Sequence, residues 1–183
     1  MSEELSIYIS AAPEMDVECE LVGQVLAEIP RSRRWRIRRT PGIHEPGNPD
    51  LEALGESQFY LVLLGGDVYA PIGLEVREAM AAHLPIMAYR SLAFPPSPAM
   101  SHYCHNVGLN WRHYATPAVF GRAFERDLVG QLIAGTPGYG LLVSDIEDLV
   151  ARQEALESQE ADDAPPGVEH RRGAGRGGII LEG

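Results

Sequence analysis

No lysine occurs among the 183 residues, and all fifteen basic side chains are arginine. That absence excludes whole chemistries. No Schiff-base lysine exists, so pyridoxal-phosphate catalysis of the usual kind is out. A Walker-type NTPase lacks its phosphate-binding lysine, and a protein kinase lacks its strand lysine. Cysteine is scarce too: Cys19 and Cys104 make no disulfide framework. Long hydrophobic runs are missing, the longest near-apolar stretch, Phe59–Gly66, being far too short to span a membrane. The opening Met1-Ser2-Glu3-Glu4 has no basic segment of the signal-peptide kind. Positive charge is outnumbered, 26 acids facing 15 arginines for a net charge of −11, which disfavours general nucleic-acid binding. These absences predict a soluble cytoplasmic protein with no membrane association.

Apolar residues make up 45% of the chain, enough for one globular domain with a real core. Leu5–Ser10 reads as a strand. Pro13 then suits the first turn of a helix, whose apolar face is Met15, Cys19, Val22, Leu26 and Ile29 and which ends near Pro30. Trp35–Arg39 reads as a charged edge strand. Thr40–Pro49 is a loop, and Asn48-Pro49 caps a short helix over Asp50–Leu54. Phe59–Leu64 is the clearest strand, apolar throughout. A helix over Ile72–His83 and a strand over Pro85–Arg90 follow. Ser91–Met100, with three prolines, reads as a loop, and Asn106–Trp111 as the last strand. Thr116-Pro117 starts a helix marked by Phe120, Phe124, Leu128 and Leu132 that stops near Gly135. A capping box, Ser144-x-x-Glu147, opens a second helix running to about Ser158, with Ile146, Leu149, Val150 and Leu156 inward. The expected organisation is an α/β domain over 1–136, an acidic helix packed on or beside it over 137–160, and a flexible Gly/Arg-rich tail over 161–183 whose GGIIL end could dock.

Alternating strands and helices predict a parallel sheet. Ligands of such sheets sit beyond the carboxyl ends of the strands, near the switch in strand order. The stretch Leu64-Gly65-Gly66-Asp67-Val68-Tyr69-Ala70-Pro71-Ile72-Gly73-Leu74-Glu75 lies at such an end. Its glycines let a ligand approach the backbone. Glu75 is expected in the first helical turn, with Glu78 one turn later. A carboxylate there can attack or stabilise a ribosyl carbon; equally, acids in a first turn complement the helix dipole.

Ile7-Tyr8-Ile9-Ser10-Ala11-Ala12-Pro13-Glu14-Met15, followed by Glu18 and Glu20, resembles the opening of the TIR-like DUF4062 family. The block Glu56-Ser57-Gln58-Phe59 through Gly66, then Glu75, Ala79 and Leu84-Pro85-Ile86, resembles it too. Both blocks are also similar to nucleoside 2-deoxyribosyltransferases. The resemblance covers about residues 5–134. It implies a flavodoxin-like or TIR-like parallel sheet of about five strands flanked by helices. For activity it implies an NAD glycohydrolase, a deoxyribosyltransferase-like enzyme, or a non-catalytic module or nucleotide sensor in a bacterial signalling or defence system. Glu75 matches the nucleophile, Tyr8 the tyrosine that orients it, and Asp67 a substrate-binding acid. Ser10, Gly65, Gly66, Tyr69 and Gly73 are the matching ligand-binding positions, with a nucleotide or nucleoside as ligand. The chain departs from these patterns at Ala11 and Ala12, at Pro71-Ile72-Gly73-Leu74, and at Leu84, where relatives carry hydroxyls, a Gly-Thr pair and a lysine.

No cofactor and no metal are expected. His102-x-Cys104-His105, with His113 nearby, forms one cluster where zinc usually wants two paired knuckles, and reads as part of a surface loop with a buried cysteine. Arg31, Arg33, Arg34, Arg36, Arg38 and Arg39 surround Trp35. Such a cluster suits single-stranded nucleic acid or phosphate. The net charge favours instead an acidic partner, namely the segment 145–163, in the same chain or in a homo-oligomer or protein partner. Gly173-x-Gly175-x-Gly177-Gly178 has no strand before it and is dismissed as a dinucleotide fingerprint.

Overall fold

Phe59–Leu64 carries six apolar side chains in succession, and every one is buried. Only a central strand covered on both faces needs that pattern. In the computed structural model this run is β3, flanked by β1 (Glu4–Ala11) on one side and β4 (Ile86–Ser91) on the other. The edges are β2 (Arg34–Arg39), beside β1, and β5 (Arg112–Tyr114), beside β4. All pairings are parallel, in the order β2-β1-β3-β4-β5. The chain thus forms the expected five-stranded, flavodoxin-like α/β sheet, and its order reverses between β1 and β3. The structure describes residues 4–42, 47–136 and 138–163.

The helices are α1 (Asp16–Glu28), α2 (Leu51–Gly55), α3 (Ala70–Ala81), α4 (Pro98–Asn106), α5 (Pro117–Ala134) and α6 (Val143–Asp163). Register decides which side chains share a face. Tyr8 pairs with Tyr60 and Ser10 with Val62, so these four look toward α3. Their neighbours Ile7, Ile9, Phe59 and Leu61 look the other way. On that second face Tyr89 and Tyr114 pack their rings against Phe120 of α5 at 5.1 Å each. α5 in turn packs on α1, and α6 lies outside it. Glu18, Val22 and Leu26 supply the buried seam of α1, with the buried Met15 at its N-cap; Cys19 is half-buried.

Several boundaries differ from the sequence reading, each for a local reason. Pro13 lies in a turn before α1, closed by Met15 N–H to the Ala12 carbonyl at 3.0 Å. Asp50 itself caps α2, its side chain accepting from Ala53 N at 3.0 Å, in place of Asn48-Pro49. α3 begins at Ala70, with Pro71 in its first turn, and stops at Ala81; His83, expected within the helix, has a left-handed backbone at φ 55°. The expected loop through Met100 gives way to α4 at Pro98. Ser97 caps it by accepting from Met100 N at 3.0 Å, and Pro98 takes an opening position where no N–H is needed. His102, Cys104 and His105 therefore ride on a helix, the two histidines exposed and Cys104 half-buried. The last strand is Arg112–Tyr114, not Asn106–Trp111, because Asn106 ends α4 and Gly108 turns the chain at φ 79°.

α5 is as expected: Thr116 caps it, Pro117 follows, and Phe120, Phe124, Leu128 and Leu132 are all fully buried. α6 is not opened by Ser144, which lies inside the helix. Asp145 reaches back instead and accepts from Leu142 N at 3.0 Å. Leu149 is buried, but Val150, expected inward, is 40% exposed. The helix continues to Asp163, beyond the expected end near Ser158. The rest of the tail, 164–183, with its GGIIL end, lies outside the described residues.

Among the described residues the basic segment meets the start of α6 through a serine. Asp145 accepts from both the backbone N–H and the hydroxyl of Ser32, and Arg33 donates to the Gly140 carbonyl. Arg36 and Arg39 pair with Glu4 and Asp16, each at 2.7 Å.

Candidate functional site

The buried side of α3 is Ile72, Glu75, Val76 and Ala79. Spacings of three and four make one helical stripe, and Glu75 is the charged member of it. Its place is the second turn, so the dipole reading of an acid in the first turn does not apply. Glu75 is 0% exposed. A carboxylate at a core position needs hydrogen-bond donors, and this one has three. Tyr8 Oη donates to Oε1 at 2.8 Å. Ser10 Oγ and Thr40 Oγ1 donate to Oε2 at 2.6 and 2.7 Å.

The sheet supplies these donors by simple geometry. Tyr8 and Ser10 are two apart on β1 and share its α3 face. Thr40 follows the last residue of β2 and continues the ladder through its N–H to the Ile9 carbonyl at 3.0 Å. A further hydroxyl lies behind: Tyr60 Oη donates to Ser10 Oγ at 2.6 Å. Burial, then the hydrogen bond and charge of Glu75, push the Tyr8 phenol far above its ordinary value. Burial does the same to Tyr60. Both phenols therefore stay protonated and act as donors. The bonds run Tyr60 to Ser10 to Glu75, with Tyr8 and Thr40 converging on the same carboxylate.

Above Thr40 lies a small cavity of about 170 Å³, lined by Arg39, Thr40, Tyr69, Pro71 and Ile72 among others. Thr40 is the link, since it lines the cavity and holds Glu75. Tyr69 stands at the mouth, 37% exposed.

The other expected site residues are elsewhere. Asp67 is exposed and accepts from Val68 N at 2.8 Å and from Ser97 Oγ at 2.7 Å. The Ser97 hydroxyl, and next the Val68 N–H, hold its carboxyl below the usual value. It fastens the β3–α3 loop to the start of α4. Gly73 faces Tyr103 of α4, and a Cβ there would make only ordinary contact at 4.0 Å. Gly65 and Gly66 lie at the switch in strand order, and Glu14 occupies the space beside them. Its carboxylate accepts from Gly66 N at 3.0 Å, and a Cβ on Gly65 would come within 2.2 Å of it. A carboxylate of the chain itself thus takes the Gly66 N–H beside the switch in strand order.

Hydrogen bonds bring Glu75, Tyr8 and Ser10 together, Tyr69 lines the nearby cavity, and the contacts of Asp67, Gly65, Gly66 and Gly73 are made to Ser97, Val68, Glu14 and Tyr103. The structure adds Thr40 and Tyr60, which the sequence reading missed. Tyr60 had a faint signal, being the lone hydroxyl in an otherwise apolar strand and the register partner of Tyr8. Among the described residues no three His, Cys, Asp or Glu side chains gather as a metal site, and no helix is long and apolar enough to cross a membrane. The chain matches no protein-family model, and no curated protein matches it.

Proposed function

We propose that this chain is a TIR-like protein acting at the N-glycosidic bond of a nucleoside or nucleotide, NAD included, with Glu75 as the reacting carboxylate. The observation that carries the reading is the hydrogen bond from Tyr8 to Glu75 at 2.8 Å. The resemblance to nucleoside 2-deoxyribosyltransferases asks for that pairing of an orienting phenol with a nucleophile. Polar networks buried under an apolar sheet are costly to build, and perturbed groups beside a cavity mark functional sites. In the proposed reaction a Glu75 oxygen bonds to the sugar C1′ as the C1′–N bond breaks. The electron pair leaves on the base nitrogen; a purine or pyrimidine then takes a proton from solvent, whereas the cationic nicotinamide of NAD leaves neutral and needs none. Water, or an acceptor base, then displaces Glu75 from C1′. Tyr8 and Ser10 hold the carboxylate in place. Thr40 must release Oε2 for the sugar to reach it from the cavity, which at about 170 Å³ is smaller than the roughly 300–1,000 Å³ of most small-molecule sites.

The test is incubation with NAD and with deoxynucleosides, followed by chromatography for free base. Release by the native chain, abolished in Glu75→Gln, supports the reading; no release from any of them overturns it. One observation favours a second reading. Glu75 is fully buried, as suits a module that binds a nucleotide without turnover or signals by self-association. Ligand retained without product identifies the sensor, and oligomers that dissociate with salt identify the assembly module.

A further inference from the structure

The chain holds 26 acidic residues, yet none lies between Glu78 and Glu125. That acid-free stretch contains β4, α4 and β5. Within it Arg90, near the carboxyl end of β4, is half-buried. Its Nε is sealed from solvent and meets no acceptor among the described residues. Arg36, Arg39, Arg112 and Arg152 each have a carboxylate partner; among the described residues Arg90 has none.

Two further donors are orphaned with it among the described residues, Tyr103 Oη and Trp111 Nε1. Strand register places two of the three groups. Arg90 pairs with Leu64 of β3 and with His113 of β5, so it stands on the α3 side of the sheet, as Tyr60 and Val62 do. Trp111 comes two residues before His113 and packs against the core from the run into β5. Helix α4 supplies the third. Burial pushes the Cys104 thiol up and the Arg90 guanidinium opposes that rise, so Arg90 reaches beside α4. Tyr103 adjoins Cys104 on this helix, its ring 4.0 Å from the place of a Cβ on Gly73. Burial pushes the Tyr103 phenol up to about 12, so it stays protonated. A guanidinium, an indole N–H and a phenol O–H thus gather under α4, where β4, α4, β5 and their connections offer no acid.

We propose that Arg90, Tyr103 and Trp111 bind a small oxyanion, a phosphate or a carboxylate, between β4, α4 and β5. Buried donors in folded proteins are paired, and a half-buried guanidinium without a counter-charge is costly. Water can answer a phenol or an indole but supplies no negative charge. An oxyanion suits all three, because it only accepts and its bond to a guanidinium is charge-assisted. Arg90 is the last residue but one of β4, so the group lies toward the carboxyl ends of the strands, where ligands of parallel sheets sit. The site uses none of the Glu75 donors and does not depend on the reaction proposed there.

The indole N–H resonances of the isotope-labelled full chain test it. The chain has two tryptophans, and Trp35 Nε1 already donates to the Ile29 carbonyl at 2.7 Å, which makes its resonance an internal control. Inorganic phosphate and acetate are titrated separately at constant ionic strength, with chloride as the comparison. The Trp111 resonance is expected to move and saturate with phosphate, with acetate or with both, which names the oxyanion, while that of Trp35 stays in place. Arg90→Gln weakens the binding by roughly tenfold or more, and Tyr103→Phe by several-fold. Should circular dichroism show that Arg90→Gln does not fold, Tyr103→Phe, which loses only a hydroxyl, decides. The proposal is overturned if neither oxyanion moves the Trp111 resonance, if chloride moves it equally, if both indoles move alike, or if the folded variants keep native affinity.

Discussion

Tyr8 Oη and Glu75 Oε1 lie 2.8 Å apart, a bond that joins the first strand to α3 across 67 residues of sequence. With Ser10 and Thr40 it fills three of the roughly four acceptor positions of the carboxylate. Glu75→Ala strips the acceptor from three buried hydroxyls together. Each orphaned group costs about 1–3 kcal/mol, so a loss of about 3 kcal/mol or more is expected. Tyr8→Phe removes one donor and is expected to cost about 1 kcal/mol. Urea denaturation measures both. A double-mutant cycle between Tyr8→Phe and Glu75→Gln should show coupling of about 0.5 kcal/mol or more; strict additivity would mean the bond is absent in solution.

The buried phenols set the alkaline limit of the fold. Tyr8, Tyr60, Tyr89 and Tyr114 are all pushed above their ordinary value, by burial first in each case. The unfolded chain releases these protons near pH 10, whereas the folded chain keeps them. The native state then binds more protons, so stability is full below about pH 10 and falls as pH rises above it. Each phenol adds a slope of up to about 1.4 kcal/mol per pH unit. Phenolate absorbance from these four should appear together with loss of circular dichroism, and Tyr8→Phe should flatten the slope by one proton. Full phenolate absorbance in a chain with native dichroism contradicts this.

What the sequence disclosed follows from how local each signal is. β3 was legible because burial on both faces leaves an unbroken apolar run, and α5 because Thr116-Pro117 is a cap followed by a proline that needs no N–H. Ser97-Pro98 is the same signal before α4, but Pro95 and Pro96 beside it read as a loop. β5 is only three residues long and sits on an edge, too short for a period to show. Periodicity assigned Glu75 to a helix, and the likeness to other families paired it with Tyr8. Thr40 was invisible and Tyr60 only faintly marked because their partners lie across the sheet, and only strand register brings a hydroxyl in one strand to a carboxylate on a distant helix. Asp67 looked like a site acid from its place after β3, yet its partners are local: its neighbour's N–H and a helix-capping serine.

Gly65→Ala tests the side-chain anion at the switch in strand order. The added Cβ would meet Glu14 Oε1 at 2.2 Å and its Cγ at 2.7 Å. These atoms belong to a flexible side chain, so Glu14 turns about χ1 to swing away and the backbone keeps its path. The loss is then the bond from Gly66 N–H, about 1 kcal/mol. In a Glu14→Ala background the same substitution should cost almost nothing, because no carboxylate remains to expel. Equal costs in both backgrounds, by chemical denaturation, would falsify this account and assign the penalty to the backbone.

Asp145 holds α6 to the domain. It is 4% exposed and accepts three bonds: from Leu142 N at 3.0 Å, from Ser32 N at 3.2 Å and from the Ser32 hydroxyl. Other anchors are weaker. Among the described side chains of the helix Leu149 is the apolar one that is fully buried, and Arg152's partly exposed pairs with Glu28 and Glu125 belong to a class worth about 0–1 kcal/mol each. Asp145→Ala leaves two N–H groups and a hydroxyl without their acceptor, a loss of about 2–3 kcal/mol. The sheet does not depend on those bonds, so the damage should be local. Hydrogen exchange is expected to show the amides of α6 opening well before those of β1 and β3. Protection of α6 equal to that in the native chain would mean that Leu149 and the ion pairs suffice, and that the serine-to-aspartate contact contributes little.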